Sequence, residues 1–148
     1  MTVMRFAWVL LAVVTTALGV FAASNPMLQI TECELGLSSQ GISASECNES
    51  IWDHFGGVLV LVLAVPAVVC LIPAAVPRPT VAWAVAGSML LASVSGFSPS
   101  LAASSSPSPL AVYGFYLPLA LLAILLAIAH QSTSNRRAEL TARRTVRT

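Results

Sequence analysis

The chain has 148 residues, of which 57% are hydrophobic and only 9% charged, with a mean hydropathy of +0.85 and a formal net charge of +1. A soluble domain is about one quarter charged, so this balance excludes a soluble enzyme, a nucleic-acid-binding domain and a disordered tail. What remains is an integral membrane protein.

Crossing roughly 30 Å of hydrocarbon takes about 20 apolar residues as a helix. Four stretches meet that length without any Asp, Glu, Lys, Arg or His: residues 6–23, 55–76, 80–97 and 110–129. They are continuously apolar rather than alternating, which predicts helices and not barrel strands. The fold class expected is all-α, a polytopic bundle of four transmembrane helices forming one membrane domain over 1–148.

The first stretch also has the basic start, apolar run and small-residue ending (Val20, Phe21, Ala22) of a secretory signal. Its length and its Trp8 and Gly19 favour a retained helix, and in either case the segment that follows lies across the membrane from Arg5. Between spans one and two, Cys33 and Cys47 face what would be an oxidising compartment, so a disulfide is expected. Such a bridge closes a ring of about 15 residues and contributes about 3 kcal/mol. A metal site from Cys33, Cys47, His54 and a carboxylate is the weaker alternative, because the spacing lacks a C-x-x-C pair.

In span two, Cys70 reads as a small packing residue, while Pro66 and Pro73 each remove a backbone donor and bend the helix. Pro77-Arg78-Pro79 leaves so short a link that spans two and three form an antiparallel hairpin. In span three, Ala84, Ser88, Ala92 and Gly96 recur every four residues and offer a small-residue face for helix packing inside the bundle or for docking on another protein. Pro118 is expected to bend span four. Trp8, Trp52, Phe55, Phe97, Tyr113, Phe115 and Tyr116 fall near span ends, where aromatic rings anchor at headgroup level.

All seven basic residues are arginines, placed at Arg5, Arg78, Arg136, Arg137, Arg143, Arg144 and Arg147. Loops 24–54 and 98–109 hold none, so the positive-inside rule puts both termini in the cytoplasm, with 24–54 and 98–109 outside and a basic tail over 131–148 inside. The cell membrane is the location this implies. Arg136, Arg137, Arg143, Arg144 and Arg147 gather on one side of a helix and would attract anionic lipid or an acidic partner. His130 reads as an interfacial residue suited to a helix C-terminus.

Catalytic motifs are missing: there is no nucleophile elbow, no phosphate-binding glycine loop and no H-E-x-x-H. No Asp, Glu, Lys, Arg or His lies in a span, against a proton-coupled carrier. No enzyme activity, cofactor, metal or nucleic-acid partner is expected. The function expected is that of an accessory or regulatory subunit on a larger membrane complex, with a self-assembling holin-like pore or a small neutral-solute transporter as the alternative.

Overall fold

The computed structural model describes residues 2–25, 50–101 and 109–145, with a few side chains inside the last helices left aside. Its elements are α1 (Thr2–Ser24), a short α2 (Ile51–Phe55), α3 (Gly57–Ala75), α4 (Pro79–Leu101), a 3-10 segment (Pro109–Tyr116) and α5 (Leu117–Thr145). Four helices are long and apolar enough to cross a membrane: Val3–Ser24, Gly57–Ala75, Pro79–Gly96 and Val112–Arg136. The four expected spans are therefore present as helices, and their boundaries move by a few residues.

Each boundary has a local cause. At the end of α1, Ser24 Oγ donates to the Val20 carbonyl at 2.8 Å and Asn25 Nδ2 to the Phe21 carbonyl at 2.6 Å, covering acceptors that the last turn leaves open. Ser50 caps α2, accepting from the Asp53 amide at 3.1 Å while its hydroxyl donates to the Asp53 carboxylate at 2.6 Å. Gly56 then turns the chain with φ of +53°, a left-handed value that glycine adopts at no steric cost. Span two thus starts at Gly57 and not at residue 55.

Span four departs most from expectation. Pro118, the second residue of α5, has no N–H to give the Gly114 carbonyl and its ring crowds that carbonyl. The α-helix stops there, and the preceding eight residues run as a 3-10 coil, far longer than the usual three or four. At the other end α5 continues through the region expected to be a separate basic tail.

Paired contacts fix the directions of the helices. Gly19 lies against Leu63 and Thr15 against Cys70, so α1 and α3 are antiparallel. Gly96 lies against Gly114, and Trp83 Nε1 donates to Gln131 Oε1 at 2.7 Å, so α4 is antiparallel to the 3-10 segment and α5. Cys70 and Met89 touch across the short 76–78 link, which makes α3 and α4 a hairpin as expected. Its arms nevertheless pack sparingly, and the extensive pairs are α1 with α3 and α4 with α5.

The core combines large side chains, among them Trp8, Leu59 and Val112, with small ones: Ala82 and Ala86 on α4, and Ala120, Ala123 and Ala127 on α5, are fully buried. Helices in lipid gain little from hydrophobic burial, and small residues let backbones approach for van der Waals contact. Many other large apolar residues point outward, among them Phe6, Leu61, Leu91 and Leu125. An outer surface this apolar suits contact with lipid or with another apolar surface.

Candidate functional site

The small-residue face of α4 divides. Ala84 and Ser88 are exposed, Ala92 is half-buried, and Gly96 is buried. A step of four residues advances roughly 40° past a full turn, so three steps carry the series through roughly 120°, from the outside of the bundle to its inside. Among the described residues, α4 buries Ala82, Val85, Ala86, Met89, Ser93 and Gly96, whose mixed spacing of three and four holds one direction. The Ser88 hydroxyl is folded back onto the Val85 carbonyl at 2.9 Å, leaving a smooth, nearly apolar patch of small residues facing outward.

Only Gly96 takes part in packing as expected of an internal face. A Cβ there would collide with the Gly114 amide nitrogen and lie 2.8 Å from the Tyr113 carbonyl carbon. The 3-10 segment crosses α4 at this point, backbone against backbone. Two tyrosines of the same segment key it into the other pair of helices. Tyr113 Oη donates to the Val62 carbonyl at 2.9 Å, the acceptor that Pro66, four residues on, cannot serve. Tyr116 is only 2% exposed, and its hydroxyl sits where a Gly19 side chain would be.

Two of the expected interfacial anchors are corrected by this arrangement. Trp8 is fully buried and Tyr116 nearly so, both within the core. Trp52 and Phe115 are exposed and Tyr113 is half-buried. His130 is 8% exposed, a core-facing residue rather than a solvated one. Among the described residues, four buried polar atoms have no hydrogen-bond partner: Trp8 Nε1, Ser93 Oγ, Tyr116 Oη and His130 Nδ1.

Among the basic residues, Arg5, Arg78, Arg136 and Arg143 are exposed. Arg137 and Arg144 lie on the helical backbone of α5, and Arg147 falls outside the described residues. Cys33 and Cys47 also fall outside them, and no disulfide is found among the described residues, where Cys70 is a free, buried thiol. No group of three His, Cys, Asp or Glu side chains that could hold a metal occurs among the described residues.

Sequence reasoning missed the Tyr113–Val62 bond and the Trp83–Gln131 bond. The first could have been sought, because every proline inside an apolar helix frees a carbonyl four residues back. The second joins residues 48 apart and has no sequence signal. No protein-family model matches the chain, nor does any curated protein or solved structure. The class that the fold defines is an all-helical protein with, among the described residues, four helices long and apolar enough to cross a membrane.

Proposed function

We propose that the chain is a non-enzymatic multi-pass protein of the cell membrane, with both termini cytoplasmic, acting as an accessory or regulatory subunit on a larger membrane complex. The observation that carries this reading is the outward small-residue patch of α4, where Ala84 and Ser88 are exposed rather than used in the chain's own packing. Small side chains there admit a partner helix at close range, and the exposed Leu91, one turn beyond Ser88 on the same face, bounds the patch. The orientation rests on the arginines, all of which fall outside loops 24–54 and 98–109. At the cytoplasmic surface each arginine near the membrane contributes about 1 kcal/mol of attraction to anionic lipid. A Cys33–Cys47 disulfide in the outer loop belongs to the same reading.

The test is affinity purification from the native membrane in mild detergent, with a photo-crosslinking amino acid in place of Ser88 or, as a control, of exposed Leu125. A stoichiometric partner captured from position 88 and not from 125 supports the proposal. Ser88→Leu should then reduce co-purification at least tenfold while changing the stability of the chain itself by no more than about 0.5 kcal/mol, as for other surface substitutions. A chain that runs alone and crosslinks to nothing overturns the subunit reading, and a pure homo-oligomer directs attention to conductance recordings.

A further inference from the structure

We infer that the end of α5, at Arg143 and Arg144, is a docking surface for an acidic segment of the partner subunit and not a lipid contact. The inference rests on the reading of the chain as a membrane subunit with a cytoplasmic C-terminus. Contacts between helices fix the depth of each arginine. Trp83 and Gln131 are bonded across α4 and α5. Arg78 lies five residues before the one and Arg136 five after the other, so both stand about 7.5 Å from that bond and share a level. Thr15 faces Cys70 across α1 and α3. Arg5 lies ten residues before Thr15 and Arg78 eight after Cys70, which brings Arg5 within about 3 Å of the same level. All three arginines are exposed, and none is in an ion pair among the described residues.

Phe6 and Val76, just inside this ring of arginines on α1 and α3, are exposed and apolar, so the ring marks the edge of the hydrocarbon. Each headgroup layer beyond that edge is roughly 5–8 Å deep. Arg143 and Arg144 follow Arg136 by seven and eight residues on one helix, about 10 and 12 Å past the ring. Both therefore stand in water beyond the headgroups, where a Debye length of about 8 Å weakens what attraction remains. The segment also lacks support from its own chain. Among the described residues α1 begins at Thr2 and α4 at Pro79, so no helix reaches the level of α5 beyond Glu139. A short helix alone in water is marginal, and Arg136, Arg137, Arg143 and Arg144 set four like charges against the single carboxylate of Glu139, which is ion-paired with neither Arg136 nor Arg143. An acidic segment laid along α5 supplies both the missing flank and the missing charge. Arg136 and Arg143 are seven residues apart, nearly two whole turns, and so lie on one side of the helix. Carboxylates two turns apart on a partner helix match that spacing, and each guanidinium accepts one as a two-pronged donor.

The experiment places the full-length chain in lipid nanodiscs, open on both faces, with a fluorescent amino acid in place of Leu125, Arg136 or Arg143. Nitroxide carried mid-chain on the lipid is expected to quench position 125, and nitroxide on the headgroup to quench 136. Neither should quench 143, which aqueous iodide should reach. In phosphatidylcholine nanodiscs the natural chain should bind a labelled glutamate-rich peptide and not its glutamine counterpart. Arg143→Gln with Arg144→Gln should weaken that binding at least tenfold, whereas Arg5→Gln with Arg78→Gln, the same loss of charge, should weaken it less than twofold. Headgroup quenching at 143 as strong as at 136 makes the distal arginines lipid contacts and overturns the proposal. Peptide binding that the Arg143 and Arg144 changes leave intact overturns it too. A position 125 that mid-chain nitroxide cannot quench overturns instead the membrane reading on which the proposal rests.

Discussion

Tyr113→Phe is expected to destabilise the bundle by about 1–2 kcal/mol when Pro66 is present and by much less when Pro66 is replaced by alanine. The reason is the economy of a single carbonyl. In α3 the Val62 oxygen has no amide to accept from, because residue 66 is proline, and the Tyr113 phenol supplies the missing donor at 2.9 Å. Alanine at 66 restores the intrahelical bond and makes the phenol redundant. Interhelical hydrogen bonds in membrane proteins range from about 0.6 to 2 kcal/mol, and this one stands at the upper end because its loss leaves an acceptor unserved in an apolar interior. The four chains of the double-mutant cycle, unfolded reversibly in mixed micelles, give the coupling directly. Equal losses in both backgrounds would mean that the Tyr113 hydroxyl stabilises the bundle otherwise than by serving the carbonyl that Pro66 leaves free.

The second large effect distinguishes two glycines that look alike in sequence. Gly96→Ala should cost about 1–3 kcal/mol, the range for overpacking a filled interior, and no trimming of a neighbouring side chain should restore it. The atoms a new methyl meets are the backbone of Tyr113 and Gly114. Gly19→Ala meets instead the Tyr116 hydroxyl and, at 2.8 Å, Leu63 Cδ2, both ends of side chains. Its cost should therefore fall sharply in a Tyr116→Phe background. Tyr116→Phe alone should be neutral or stabilising, because the hydroxyl it removes is buried without a partner. Thermal or denaturant midpoints of the five chains, compared at one detergent concentration, settle the order. A Gly19→Ala loss that Tyr116→Phe leaves unchanged would place the obstruction elsewhere.

These two glycines also show which parts of the fold can be read from the chain. The spans are legible because length and continuous hydropathy are sufficient causes of a membrane-length helix. The turn at Gly56 and the start of α5 at Leu117, beside Pro118, follow from residue chemistry once the neighbouring segments are known. Which side of a helix faces inward is another matter, since α3 is apolar all around and carries no polar face to orient it. On α4 the four-residue repeat of Ala84, Ser88, Ala92 and Gly96 suggests one continuous face, yet the helix turns that series from outside to inside. The internal seam uses Ala82, Ala86 and Ser93 together with alanines of α5, partners that only the three-dimensional arrangement brings together. The exposed half of the series is therefore the part that supports docking.

The unbroken length of α5 has a mechanical side. At 29 residues it is about 43 Å long, against roughly 30 Å of hydrocarbon. Ala120, Ala123 and Ala127 in the core and the backbone of residues 136–144 belong to one rod. A pull or twist applied at the far end of such a rod would reach the alanine seam as torque, with the α4–α5 contact as its fulcrum.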